Sequence, residues 1–276
     1  MFFLFDIGGT KMRLAISHQE DIINERILPT PQNFDEAIAT ISTYINEMKA
    51  GAVITAAAGG LPGPITRDRT GISNAPNLTA WNNRPFVPEL KKVLEVPIYL
   101  HNDAALAGLG EAVYGAGQGY EIVAYMTIST GIGGVRIVNK KIDHNSYGFE
   151  PGHQYIDFDK STFADAQFGT LEKYASGNSI KHRYNAEPED LEDEKMWKSM
   201  ETVIAYGLNN TIVHWSPDVV VLGGGLINSD TLSVENISQK LEEVLYIFSD
   251  APVIRKSVLG DKCGLMGALA LIKSKS

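Results

Sequence analysis

Apolar residues open the chain as a continuous run at 2–7, alternate with polar ones at 12–17 and alternate again at 22–28, with the turn-prone Gly8-Gly9-Thr10 and residues 18–21 between the runs. Period-two patterning interrupted in this way predicts a three-strand antiparallel meander. The period then changes. Phe34, Ala37, Ile38, Ile41, Tyr44, Ile45 and Met48 recur at helical spacing, Asn33 with Glu36 three residues on supplies a start signal, and Gly51 a stop. Residues 52–58 form an apolar run without alternation, which predicts a strand covered on both faces. A Pro/Gly/Asn-rich stretch at 59–83 reads as a loop, and loops of that length in compact proteins usually carry function or move. A helical segment near 88–94 and a short strand at 98–100 lead to His101-Asn102-Asp103, which opens a small-residue helix over 104–110.

The second half repeats this order. Residues 122–128 read as a strand, 129–134 as a Gly/Thr turn and 135–138 as the returning strand, so Asp6-Ile-Gly-Gly-Thr10 and Ser129-Thr-Gly-Ile-Gly-Gly134 occupy equivalent hairpin tips. Met196, Met200, Val203, Ile204, Leu208, Thr211, Ile212 and Trp215 trace a second amphipathic helix, followed by a buried strand at 219–222 and the turn Gly223-Gly224-Gly225. Leu241, Val244, Leu245 and Phe248 mark one more helix, and Leu265, Leu269 and Ile272 the last. The acidic run 187–194 reads as a solvated helix face or loop. Two α/β lobes of similar plan are expected, an N-terminal one of residues 1–103 plus 262–276 and a C-terminal one of residues 104–261.

Composition narrows the class of partner. The 276 residues carry 24 Lys+Arg against 33 Asp+Glu, a net charge of −9, which disfavours nucleic acid because backbone phosphates need a basic patch. The amino terminus has neither a basic n-region nor a small-residue cleavage site, so it is not read as a signal peptide. No apolar run reaches the ~18 residues of a membrane span, and the expectation is a cytoplasmic enzyme or binding protein. With a strand from residue 2, no DNA-binding module ahead of it is expected. The single cysteine, Cys263, excludes a disulfide framework and a thiolate-rich zinc site.

The glycine turns carry candidate chemistry. Gly8, Gly9, Thr10 and Lys11 combine two residues without Cβ, a hydroxyl and a cation at one tip, where backbone N–H groups can approach an anion. Asp6 just ahead of them can hold Mg²⁺ through water. Thr130 and Gly131, with Gly133 beside them, can clamp a terminal phosphate, and Gly224 in the triple-glycine turn can let a flat adenosine lie against backbone. Any one of these turns alone also fits an ordinary tight β-turn. Neither a Walker A loop nor a dinucleotide fingerprint is present, since these turns join strand to strand. Asn102-Asp103 at a strand end is a place where polar groups gather, although Asp at a helix start also serves as a plain N-cap. Glu150-Pro-Gly-His153 is a second polar cluster, with Glu172 nineteen residues beyond the histidine.

Taken together, Asp6-Ile-Gly-Gly-Thr-Lys11, Gly60-Leu-Pro-Gly-Pro64, Asn102-Asp103-Ala104, Thr130-Gly-Ile-Gly-Gly134, Glu150-Pro-Gly-His153, Gly169-Thr-Leu-Glu172 with Tyr174-Ala-Ser-Gly177, and Val219-Val-Val-Leu-Gly-Gly-Gly225 resemble the ROK family of sugar kinases along essentially the whole chain. The resemblance implies a two-lobed actin-like, hexokinase-type ATPase fold. It implies ATP and Mg²⁺ in a cleft between the lobes and transfer of phosphate to the 6-hydroxyl of a hexose or N-acetylhexosamine. It places Asn102, Asp103, Glu150, His153 and Glu172 in the sugar pocket, and implies a homodimer. Asp103 suits the general base, since a sugar hydroxyl is a poor nucleophile until its proton is accepted. Glucose is the first expectation, ahead of N-acetylmannosamine, N-acetylglucosamine, mannose and fructose. A non-catalytic sugar sensor keeps the same residues without turnover, whereas a filament or chaperone ATPase has no need of them.

One departure stands out. The resemblance implies a zinc that most members of the family hold with the histidine of this motif and three cysteines, and in register those cysteines fall here on Phe163, Asp165 and Thr170. With the soft ligands gone, no structural zinc is expected. A substitute site built from His153 with Asp157, Asp159 or Asp165 is the alternative.

Overall fold

The computed structural model of the protein describes residues 1–49, 51–159 and 169–275. The chain divides into two compact units, Met1–Val113 with His144–Gly148 and Asp261–Ser276, and Tyr114–Asp143 with Phe149–Gly260.

In the first unit β1 (Phe2–Ile7), β2 (Lys11–His18) and β3 (Asp21–Pro29) form the expected meander, and β4 (Ala56–Leu61) and β5 (Ile98–Asn102) extend it in parallel on the far side of β1, giving the order β3-β2-β1-β4-β5. Strand β1 lies centrally, which explains its unalternating pattern: Phe3, Leu4, Phe5 and Ile7 are all fully buried. Helix α1 (Phe34–Lys49) starts where Asn33 accepts the Glu36 N–H at 3.0 Å. Its inner face buries Phe34, Ile41, Ile45 and Met48, each worth about 1.5–3 kcal/mol of apolar transfer.

Strand β4 sits later than its apolar run predicts. Register decides this: Phe2 pairs with Ala56 and Asp6 with Gly60, so the strand begins where β1 begins and runs through Gly59 and Gly60, which the sequence reads as loop. A Cβ on Gly59 would lie 2.1 Å from Phe5, so only glycine fits there. The remaining stretch to Asn83 is a packed loop. Ile72, Ala75, Leu78 and Trp81 are buried, and Phe34, Trp81, Phe86 and Phe5 form a continuous aromatic chain with ring centroids 5.4–5.9 Å apart. Helix α2 (Phe86–Leu94) follows and ends at Glu95 in the left-handed region, φ 51°. Helix α3 (Asp103–Tyr114) then leaves β5 directly.

The second unit repeats the plan. Strands β6 (Ile122–Ile128), β7 (Ile132–Val138) and β8 (Lys141–Ile142) run antiparallel, while β9 (Val219–Gly223) and β10 (Val253–Lys256) are parallel to β6, in the order β10-β9-β6-β7-β8. Read from the meander outward, the two sheets have the same strand order. Gly133 and Gly134 belong to β7, opposite Thr127 and Met126, so the turn is shorter than predicted. Two short helices, α4 (Leu171–Ala175) and α5 (Gly177–Tyr184), precede α6 (Glu194–Trp215), which is N-capped by Asp193; α7 (Gly225–Asn228) follows β9. The acidic run resolves into a 3-10 turn at Pro188–Asp190 and this cap. Helix α8 (Val234–Val244) ends before Phe248, contrary to the periodicity, because the residues after it leave the core: Tyr246 and Ile247 are exposed. Strand β10 went unpredicted.

The last helix, α9 (Cys263–Lys273), belongs to the first unit, where it packs on β1 and β4. Its glycines permit that approach: a Cβ on Gly267 would lie 1.8 Å from the Leu106 carbonyl oxygen of α3, and one on Gly264 would lie 2.5 Å from the Asp6 carboxylate.

Candidate functional site

At the β1–β2 tip, the Gly8 N–H donates to the Lys11 carbonyl at 2.9 Å and closes the turn. The segment after β3 returns to hold the tip from one side. Thr30 donates its hydroxyl to the Gly8 carbonyl at 2.8 Å, and Gln32 donates its amide to the Gly9 carbonyl at 3.0 Å. In a trans peptide the N–H points opposite to the C=O, so the N–H groups of Gly9 and Thr10 face away from Thr30 and Gln32. Lys11, exposed, adds a positive charge at the first position of β2.

The β6–β7 tip is built the same way from different parts. The Ser129 and Thr130 carbonyls accept from the N–H groups of Gly177 at 2.7 Å and Asn178 at 3.0 Å, the first residues of α5, which leaves the N–H groups of Thr130 and Gly131 pointing the other way. Gly224, at φ 92°, lies against this hairpin, where a Cβ would sit 2.5 Å from the Ile128 carbonyl oxygen and 2.6 Å from the Thr127 hydroxyl. The second unit thus brings Thr130, Gly131 and Gly224 together, and the first brings Gly8, Gly9, Thr10 and Lys11 together. Such amide pairs fit the oxygens of a phosphate.

Asp6, one residue before the end of β1, lies opposite Arg13 of β2. Burial raises its carboxyl from the usual range to about 6; the Arg13 guanidinium opposes that shift and Asp261 adds to it. Arg13 itself forms an ion pair with Asp261, immediately ahead of α9. A largely buried carboxylate whose charge is held so weakly is a fitting partner for a divalent cation.

Asn102 and Asp103 mark the passage from β5 to α3. Asn102 donates its amide to the Gly63 carbonyl at 3.0 Å and accepts the Ala105 N–H at 3.2 Å, so it both caps the helix and ties down the 63–71 loop. Asp103 accepts the Ala104 N–H at 2.8 Å and stands against Gly60, whose Cβ would lie 2.8 Å from the Asp103 Cα. His101, one residue before, contacts the Arg69 guanidinium at 2.8–2.9 Å; burial and that positive neighbour push its pKa down to about 3, so it is neutral at all working pH values.

Glu150, His153 and Glu172 share one region of the second unit. Glu150 precedes the 3-10 turn Pro151–His153, and its carboxylate lies 3.6 Å from His153 Nδ1. Burial raises the Glu150 carboxyl; His153 pulls it back and Glu172 pushes it further up. Glu172, at the start of α4, reaches the β6–β7 tip: it accepts the Ile132 N–H at 2.8 Å, and a Cβ on Gly131 would meet the same oxygen at 2.7 Å. That link between the Glu172 carboxylate and the β6–β7 tip spans forty residues and has no local sequence signal. Thr30, Gln32 and Gly264, which set the positions of predicted residues, have no local signal for the same reason.

Of the positions in register with the family's cysteines, Phe163 and Asp165 lie outside the described residues. Thr170 is buried and bridges Tyr155. Among the described residues no group of three His, Cys, Asp or Glu is arranged to hold a metal ion. No described helix is long and apolar enough to cross a membrane.

The sequence profile of the ROK family matches residues 4–275. An N-acetyl-D-glucosamine kinase of Histophilus somni (strain 129Pt) is 29% identical over 310 residues, covering 100% of both chains. A glucokinase of Streptomyces coelicolor (strain ATCC BAA-471 / A3(2) / M145) is 26% identical over 305 residues, 97% of this chain and 96% of that one. Among solved structures, a ROK family glucokinase from Streptomyces griseus in complex with glucose and AMPPNP gives a TM-score of 0.81 at 25% identity over 98% of each chain.

Proposed function

The chain belongs to the ROK family and is an ATP-dependent sugar kinase with the actin-like ATPase fold; from that premise we propose that it phosphorylates the 6-hydroxyl of a hexose, glucose first, with Asp103 as the base. The observation that carries this reading is the placement of Asp103 at the end of β5, locked at the start of α3 and pressed against Gly60. Rigid seating of this kind is what a proton acceptor in phosphoryl transfer needs, because positioning supplies most of the rate.

Asp103 takes the hydroxyl proton as the oxygen turns nucleophile. Asn102, Glu150, His153 and Glu172 orient the ring through its hydroxyls, and a pocket that pairs polar groups strongly rejects sugars lacking them. The N–H groups of Gly9, Thr10, Thr130 and Gly131 receive phosphate oxygens, Lys11 adds positive charge, Gly133 keeps the start of β7 free of a side chain beside the tip, and Gly224 lets adenosine approach backbone. Asp6 is the residue that would hold Mg²⁺, and the ion when bound would supply positive charge to the phosphates of ATP, the phosphoryl donor. The enzyme is read as a cytoplasmic homodimer.

A coupled assay over glucose, N-acetylglucosamine, N-acetylmannosamine, mannose and fructose tests the substrate. Glucose is expected to give the highest kcat/KM. A higher value for N-acetylglucosamine, the sugar named for the Histophilus relative, replaces glucose in this reading; turnover of none of them removes the kinase reading for the sensor. The loss of three thiolates gives a second expectation: the purified protein carries no zinc, and stoichiometric zinc in elemental analysis would overturn it.

A further inference from the structure

We propose that Tyr174 and Asp157 are positioning residues for the sugar, a hydroxyl–carboxylate clamp that fixes Glu172 relative to Glu150 and His153; the sugar part of this inference rests on the kinase reading above. Glu172 sits on α4, five residues long. A helix so short has no orientation of its own and takes it from tertiary anchors. Leu171 supplies one, packed so closely on α6 that a Cβ on Gly207 would lie 2.5 Å from its side chain. Tyr174 supplies a second. Its ring is fully buried in the core of the second unit, and its hydroxyl donates to Asp157 Oδ2 at 2.9 Å. Two residues apart on a helix, Tyr174 and Glu172 point to nearly opposite sides, so the tyrosine holds one side of α4 while Glu172 reaches from the other to the Ile132 N–H.

Asp157 is four residues beyond His153, and the backbone between them is tied to the approach to α4. The Leu171 N–H donates to the Gln154 carbonyl at 3.0 Å, and the Ile156 and Asp157 N–H groups donate to the Gly169 carbonyl at 3.0 and 3.2 Å. Gly169, at φ 68°, allows this, since its Cβ would lie 2.2 Å from the Asp157 carbonyl oxygen. The ladder sets the distance between the two segments. The Tyr174–Asp157 bond, charge-assisted and reaching out of the core, sets the rotation of α4 and with it the direction of the Glu172 carboxylate.

Tyr174→Phe removes the hydroxyl and keeps the ring. Its expected result is a rise of about 3- to 10-fold in sugar KM, the scale of one hydrogen bond acting through a second group, with kcat unchanged and a smaller rise in the ATP KM, since Glu172 also holds the Ile132 N–H. Asp157→Ala is expected to match it, the double variant to be no worse than either, and Asp157→Asn, which keeps an acceptor oxygen, to restore the sugar KM. Unchanged sugar KM in Tyr174→Phe, or an equal rise in both KM values, overturns the clamp. Hydrogen exchange reads it without turnover: Tyr174→Phe should exchange faster over residues 150–157 and 169–175 and at Ile132, and unaltered exchange there counts against it. A wild-type protein that phosphorylates no sugar removes the kinase reading and the sugar role with it, while exchange still decides whether the clamp exists.

Discussion

Asp103→Asn is expected to lower kcat by about 10²- to 10⁴-fold, the range that general-base assistance contributes, while the dissociation constant for the sugar, measured by calorimetry, stays within about threefold. The substitution separates chemistry from structure because of how Asp103 is held. Its Oδ1 accepts the Ala104 N–H at 2.8 Å, and an asparagine Oδ1 keeps that bond, so the start of α3 and the contact with Gly60 survive. What disappears is the ability to take a proton. Asp103→Ala removes the acceptor of the Ala104 N–H as well and should lower stability on top of the same kinetic loss, while the Asn102 cap stays in place. Retained turnover in Asp103→Asn would remove it as the base and leave it a hydrogen-bond acceptor in the first turn of α3, behind the Asn102 cap.

The elements most legible in the sequence are those whose signals are local. The meander, α1 with its Asn33 cap, and β9 follow from period, cap and burial within one segment. Strand β4 is offset because its ends are fixed by pairing with β1, some fifty residues away, and because Gly59 and Gly60 carry no strand propensity; they are there since Phe5 and Asp103 leave no room for a side chain. Gly133 and Gly134 mislead for the same reason, being strand residues where a Cβ on Gly134 would strike Pro151 at 2.7 Å. Strand β10 is four residues long, half exposed and lies at a sheet edge, so its pattern is too short to register. The site follows the same division. Residue types and spacing single out Asp6, the two tips and Asn102-Asp103 as candidates, whereas the groups that orient the tips are non-local: Thr30 and Gln32 on one, the α5 N-terminus and Glu172 on the other.

The two tips share a solution that neither motif states. Each has two consecutive carbonyls held from one side, by the Thr30 and Gln32 side chains in the first unit and by the N–H groups of Gly177 and Asn178 in the second, so that two consecutive N–H groups face the other way. Equal strand order puts the two hairpins at corresponding points of their sheets. The supporting residues differ, so the arrangement of the tip, two N–H groups in fixed orientation, is common to both while the means of holding it is not.

Asp6→Asn is expected to raise stability at pH 7.5 while lowering kcat/KM by at least about 10²-fold, the scale of losing a preorganised charge in the site. The stability gain follows from the sign of the shift. Burial lifts the folded-state pKa of Asp6 from 3.8 to about 6, so between those values the folded chain keeps a proton that the unfolded chain has released. Stability therefore falls as pH rises through that window, and the full cost of a charged Asp6 is present above pH 6. The shift corresponds to roughly 2–3 kcal/mol, an upper value because asparagine forgoes the attraction of Arg13, which retains Asp261. At about 2–4 °C per kcal/mol for a chain near this size, Tm should rise by several degrees at pH 7.5, and the difference between variant and wild type should vanish near pH 4. Mg²⁺ with a nonhydrolysable nucleotide should raise the wild-type Tm more than that of the variant, because only the wild type keeps the carboxylate that holds the ion. An equal or lower Tm for the variant at pH 7.5 would mean that Asp6 is not a desolvated charge, and unimpaired turnover would mean that it does not serve the metal.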